Sequence, residues 1–193
     1  MPLKVTFLKI ALQFAIFSKK GLSIETALWE KTALFHGHKC PGLAIGYKAA
    51  LLAKEVLEID DLTDDEDIVC LSETDACGVD AIQVILKATL GTGSLHINYL
   101  GKHAFNIYNR KNGKKARFVF CDSTQFSSKE EKLAYILSKE PKDLFLIKET
   151  ISDFSQKARL YDAIPCAICG EQTAKNALDL VDNKHICKTC QNL

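Results

Sequence analysis

Between His36 and Cys40 the chain puts two imidazoles and a thiol within five residues, in the stretch His36-Gly37-His38-Lys39-Cys40-Pro41-Gly42. Imidazole and thiolate are metal ligands, and a thiolate beside a base is also a nucleophile. Pro41 suits the first turn of a helix, where its missing N–H costs nothing. Leu43 to Leu57 is rich in Ala and Leu, the composition of a buried helix. Cys40 therefore stands at a helix N-terminus, where free N–H groups and the macrodipole favour thiolate over thiol. A lone His or Cys there would read as a cap or a small packed hydrophobe. Three ligand-type side chains ahead of one helix read instead as a functional site.

A second stretch repeats the setting. Ile68 to Glu73 (IVCLSE) reads as a strand, Thr74 to Gly78 as a turn and Val79 to Leu90 as an apolar helix. Cys77 and Asp80 thus lie at another helix N-terminus. The thiols, imidazoles and carboxylate of the two stretches make one metal or redox site on the condition that the two loops meet in space. Without that meeting, Cys77 is a packed core cysteine and Asp80 a partner of the helix dipole. Lys102 and His103, at the start of a later strand, are weaker candidates for the same cleft. Cys70, in mid-strand, and Cys121, after a strand, read as structural.

The third cluster lies near the C-terminus: Cys166-x-x-Cys169, seventeen intervening residues, then Cys187-x-x-Cys190. Four thiolates at this spacing fit tetrahedral zinc, each pair forming one knuckle. About thirty residues cannot bury enough apolar surface to fold unaided, so the metal would supply the fold. Sulfur takes all four positions, so the expected role is structural or partner-binding. His185, beside Cys187, is a spare ligand.

The elements that must position these residues follow from pattern. The length of 193 residues suits one main domain with a small appendage. We divide it into an N-terminal helical extension at 1–20, an α+β core at 21–160 and the four-cysteine finger at 161–193. Helices are expected over 3–17, stopped by Gly21, and from a Ser23 cap to about Phe35. Gly42 and Gly46, four apart, would let the buried helix approach another backbone closely. An acidic connection (58–67) precedes the first strand. Leu95 to Leu100 and His103 to Asn109 read as strands joined through Gly101-Lys102, and Asn112-Gly113 turns the chain into Ala116 to Phe120. Ser127 to Ser138 reads as a capped surface helix, Leu144 to Ile151 as a final strand and 156–164 as a linker. Such a meander after helices predicts an α+β fold with an antiparallel sheet rather than a repeated β-α-β array.

Composition narrows the function classes. A net charge of +1 gives no bulk attraction to nucleic acid or acidic membranes. Eight cysteines, four of them in C-x-x-C pairs, indicate metal rather than a disulfide scaffold, and so a reducing cytoplasm. Phe7 to Phe17 is apolar but interrupted by Lys9 and Gln13, too short for a signal peptide or a membrane span. A helix packed on the core or on a second subunit is expected there.

Four segments together resemble the formylmethanofuran dehydrogenase E-subunit family. They are FHGHKCPGLAIGYKAAL at 35–51, ETDACGVDAIQ at 73–83, YLGKHAFNIY at 99–108 and the terminal four-cysteine module. The resemblance covers about residues 22 to 193. It implies an α+β core with a metal site, a C-terminal treble-clef zinc finger in many members, and a homodimer. The family's site motifs fall here on His36, His38, Cys40, Cys77, Asp80 and Lys102. Two features depart from the pattern. Residues 1–18 precede the family's usual start, and only three residues follow Cys190, little of the helix that closes a treble clef. A zinc ribbon therefore stays open beside the treble clef.

Two functions are expected. The first is a metal-binding protein with a structural zinc on Cys166, Cys169, Cys187 and Cys190 and a second divalent ion on His36, His38, Cys40 and Cys77. Zinc is the first choice for that ion, before iron, nickel or copper. In this reading Cys40, Cys77, Asp80 and Lys102 do thiol-redox or Lewis-acid chemistry. The second is a non-catalytic accessory subunit of a larger molybdenum or tungsten redox enzyme, docking through the finger and the N-terminal helix. Nothing in the chain resembles a pterin-binding, iron–sulfur or amidohydrolase subunit. A nucleic-acid module is disfavoured, because basic and aromatic residues are not interleaved.

Overall fold

A computed structural model describes residues 25–60, 67–150 and 162–191. The expected helix over 3–17 with its Gly21 stop and Ser23 cap, most of the acidic connection and most of the 156–164 linker lie outside those residues. The chain divides into two compact units, Met1–Ser155 and Gln156–Leu193.

In the first unit, helix α1 (25–36) leads through His36 and Gly37 into α2 (Pro41–Val56). Pro41 occupies the first turn of α2, and the Cys40 side chain caps it by accepting from the Leu43 amide. Every residue from Leu43 to Ala50 is buried, so α2 is the central helix of the unit. Two asparagine side chains from the tight turn beyond residue 108, Asn109 and Asn112, donate to the Leu57 carbonyl at 3.0 and 2.9 Å. They satisfy a carbonyl that the helix end leaves without an intrahelical partner.

Strand β1 (Ile68–Ser72) and α3 (Gly78–Leu86) follow, then β2 (Leu95–Ile97), β3 (Ala104–Asn109) and β4 (Lys115–Phe120). Helix α4 (Lys129–Ser138), the single turn α5 (Pro141–Leu144) and β5 (Phe145–Lys148) complete the unit. Ser128 caps α4, accepting from the Glu131 amide, while the Glu131 carboxylate accepts from the Ser127 amide. The sheet runs β2-β1-β3-β4-β5. Phe105, Ile107 and Phe118 from its middle strands pack with Leu43, Ile45 and Ile82 in one hydrophobic core.

The sheet corrects one expectation. Residues 95–100 do not form a strand that turns at Gly101-Lys102 to pair with the next. Strand β2 has three residues and lies parallel to β1, with Cys70 opposite Leu95. The other three pairings, β1–β3, β3–β4 and β4–β5, are antiparallel. Thr89, Thr92 and Ser94 knot their hydroxyls together after α3 and return the chain beside β1. Beyond β2 the chain is tied down by the Leu100 and Lys102 amides, which both donate to the Glu73 carbonyl. The fold stays α+β, with one β-α-β crossover on an otherwise antiparallel sheet.

The second unit has two hairpins, β6 (Ala163–Pro165) with β7 (Gln172–Ala174) and β8 (Leu178–Val181) with β9 (Lys184–Cys187). A 3-10 turn at Lys175–Ala177 joins them, and α6 (Lys188–Gln191) ends the described chain. No helix among the described residues is long and apolar enough to cross a membrane.

Candidate metal centres

The condition on which the core site depends is the meeting of two loops, and glycine brings it about. Gly46 on α2 faces Gly78 at the start of α3 so closely that a Cβ on Gly46 would run into the Gly78 backbone. A Cβ on Gly42 would stand 3.3 Å from the Cys77 Cβ. The two helices therefore cross at their N-terminal ends, placing Cys77 beside the loop that carries Cys40.

At that crossing, His36 Nδ1–H donates to Asp80 Oδ2 at 2.7 Å. This pairing, assigned from the hydrogen-bond network, leaves Nε2 with its lone pair free. Nε2 lies 3.8 Å from Cys40 Sγ. The His38 ring sits 4.4 Å from the His36 ring, and the ligand atoms of His36, His38 and Cys40 all lie within 4.8 Å of one another. A tetrahedral zinc bound by nitrogen and sulfur needs a separation of about 3.6 Å between those donors. The trio fits such an ion after small movements. Asp80 is itself held: Gln83 Nε2 donates to its other oxygen at 3.2 Å. Cys40 Sγ accepts the Leu43 N–H at 3.4 Å, the cap of α2.

Cys77 is the N-cap residue of α3 but makes no capping bond. Its thiol neighbours Cys40, and burial, followed by that neighbour, pushes its pKa up. It stands beside the trio rather than inside it. Lys102 is exposed; its amide donates to the Glu73 carbonyl, its carbonyl accepts from the Ala104 amide, and its charge helps lower the Glu73 pKa. His103 is half-buried, edge-on to Phe120, with a buried Nδ1 that has no hydrogen-bond partner. Burial, and then Lys132, lowers its pKa.

Sequence reasoning gave no role to the group that anchors the Cys77 loop. Glu73, the last residue before that loop, is clamped by Arg117 through two bonds of 2.6 Å. Asn106 Nδ2 donates to the same carboxylate at 2.9 Å, and Thr150 donates to Asn106 Oδ1 at 2.7 Å. The Arg117 guanidinium holds the Glu73 pKa below its ordinary value. Next along the chain, Ser72 Oγ donates to the Thr74 carbonyl and Thr74 Oγ1 accepts from the Ala76 amide. The turn that presents Cys77 is thus fixed residue by residue.

In the second unit the four sulfurs of Cys166, Cys169, Cys187 and Cys190 lie within 4.8 Å of one another, those of Cys169 and Cys187 at 3.9 Å. Tetrahedral zinc places sulfurs about 3.8 Å apart, so the cluster has the size the ion requires. Amides of Cys187 and Ile168 donate to Cys166 Sγ at 3.4 and 3.5 Å. Those donors, with the Cys169 backbone, bring the Cys166 thiol down to about 6. The first pair sits on the turn between β6 and β7, while Cys187 ends β9 and Cys190 lies in α6. Knuckle, hairpin and helix start follow in the order of a treble clef. A ribbon would carry its second pair on another knuckle. His185 is not in the cluster, and its buried Nδ1 has no hydrogen-bond partner.

Comparison with known proteins places the chain. Over 123 residues it is 34% identical to a probable S-adenosyl-L-methionine-binding protein of Archaeoglobus fulgidus, an alignment covering 62% of this chain and 31% of that protein. The chain thus spans about a third of that relative's length. Its fold is similar to the crystal structure of a tungsten formylmethanofuran dehydrogenase E-subunit (FmdE)-like protein from Syntrophus aciditrophicus. The TM-score is 0.63 at 21% identity, over 86% of this chain and 91% of that one. Residues 35–159 match the family model described as FmdE, molybdenum formylmethanofuran dehydrogenase operon. The stretch includes His36, Cys40, Cys77 and Asp80, and the chain belongs to the FmdE family.

Proposed function

We propose that this protein carries two metal ions of different purpose. The terminal thiolates hold a structural zinc. His36, His38 and Cys40 hold a second divalent ion, zinc by its donor set, with a coordination position left for water or substrate. The observation that carries this reading is the His36 bridge, with Nδ1 on Asp80 at 2.7 Å and Nε2 toward Cys40. A carboxylate behind a ligating imidazole fixes its tautomer and makes it the better donor. An ion bound there would supply Lewis acidity toward a carbonyl or other oxygen substrate. The chain's own part is to orient His36 through Asp80, to place the Cys40 sulfur through the Leu43 amide, and to hold the Cys77 loop still through Glu73 and Arg117.

The test is metal analysis of protein purified under reducing conditions. Two equivalents per chain are expected, falling to one in Cys40→Ser. A Cys40→Ser protein with unchanged metal content overturns the core site.

A second reading, an accessory subunit that docks on a second copy or on a larger redox enzyme in the cytoplasm, is favoured by Leu34 and Phe35. They expose 84% and 60% of their surface immediately before His36. Mass measurement in solution separates this reading: a chain that stays monomeric and retains no partner on purification removes it.

A further inference from the structure

Two thiols meet at the crossing of α2 and α3, yet only one belongs to the ligand trio. We propose that Cys40 and Cys77 form a reversible disulfide when a peroxide oxidises them, and that closing it takes Cys40 away from the ligand set and releases the core ion. The release rests on the reading of His36, His38 and Cys40 as ligands. The disulfide itself needs only the two thiols.

The geometry favours this pair. The glycine contact at Gly46 and Gly78 holds the two helix starts against each other. The Cys77 Cβ lies 3.3 Å from where a Cβ on Gly42, two residues from Cys40, would stand. A disulfide needs Cβ atoms about 3.5–4.5 Å apart, a spacing set by the backbone, and the Cys40 and Cys77 thiols already neighbour each other at this crossing. Both thiols are partly exposed, so a small oxidant can enter, whereas Cys70 is buried in the sheet. The step is written from Cys40, whose Sγ accepts the Leu43 amide at the helix cap and lies 3.8 Å from His36 Nε2, a base for its proton. Cys77 makes no such bond and is free to follow.

The chemistry closes on itself. Cys40 thiolate attacks one oxygen of the peroxide. The O–O bond breaks, a sulfenic acid forms, and the departing oxygen takes up a proton. The Cys77 sulfur then attacks the Cys40 sulfur, forming the S–S bond and breaking the S–O bond. The proton of Cys77 leaves with that oxygen as water. Two thiols have lost two electrons and two protons, and the peroxide has gained them. A small dithiol reductant reverses the bond by exchange.

The experiment uses the full chain loaded with zinc and treated with stoichiometric hydrogen peroxide. Released zinc is followed with a chromogenic chelator, and cysteine pairing by peptide mapping without reduction. One of the two zinc equivalents should leave as a Cys40–Cys77 cross-linked peptide appears, and dithiothreitol should restore both. Cys77→Ser should give no cross-link and leave a dimedone-reactive sulfenic acid on Cys40. A chain that holds its core zinc but never yields the cross-linked peptide overturns the disulfide and leaves the metal site standing. A chain that cross-links these cysteines without ever holding a core ion overturns the metal site and leaves the disulfide standing. Cross-linking with both zinc equivalents retained overturns the release.

Discussion

In the first unit, Cys40 and Cys77 hang from helices that are already packed: Leu43, Ile45 and Ile82 bury themselves against Phe105, Ile107 and Phe118 whatever happens at the helix starts. In the second unit the buried cluster is Leu178 with Cys166, Cys187 and Cys190. Three of four core side chains there are prospective ligands. A metal in the first unit is therefore a guest in a folded wall, while in the second it is the wall. In the proposed reading three donors in the first unit would leave a coordination position open, while four in the second would enclose an ion on all sides.

Removing metal breaks the comparison most severely. A strong chelator, or Cys166→Ser, should unfold residues beyond about 162, since structural zinc contributes about 10–16 kcal/mol to such small folds. The first unit should keep its cooperative melt. Hydrogen exchange reads both at once: equal loss of protection in the two units would show that both depend on metal for their fold.

Gly46→Ala tests the other side. A methyl group forced into the Gly78 backbone should cost about 3 kcal/mol in urea unfolding. It should also weaken core metal binding by separating the helix starts, and leave the terminal zinc alone. Unchanged stability would mean that the crossing is looser than described.

Glu73→Gln removes a carboxylate that Arg117 expects, at a cost of about 2 kcal/mol at neutral pH. The pH dependence has a definite sign. The Glu73 pKa is lowered in the folded protein from its ordinary 4.5, so its stabilisation is fully present above 4.5 and is lost as pH falls through the folded value. Wild type should therefore lose more stability than Glu73→Gln on acidification below that pH. Parallel acid titrations of the two proteins would show instead that the Arg117 clamp contributes nothing.

Asp80→Asn is the mildest change. It keeps the shape behind His36 but removes the charge, and core metal affinity should fall about tenfold to hundredfold. Competition with a zinc chelator measures this, and the terminal site serves as the internal reference.

How much of this the sequence disclosed depended on chain distance. His36, His38 and Cys40 fall within five residues, and the C-x-x-C pairs are local, so both clusters could be read directly. The close pair Gly42 and Gly46 pointed to a helix crossing without saying which helix would come. The family resemblance put Cys77 and Asp80 into the same motif set, but only the folded chain shows Asp80 on the His36 ring. Strand β2 was misjudged because its partner lies across α3, and a parallel crossover leaves no hairpin turn to read. The Glu73–Arg117 clamp joins residues 44 apart through a register that needs three strands in place. No local pattern announces such a pair.

The central claim is that two centres of different kind coexist on one chain. Metal content per chain, measured on protein purified under reducing conditions and compared across wild type, Cys40→Ser and Cys166→Ser, tests it most directly. Two equivalents are expected in wild type and one in each variant, with the first unit folded in both. A wild-type chain carrying a single equivalent that survives Cys40→Ser and disappears in Cys166→Ser would contradict it.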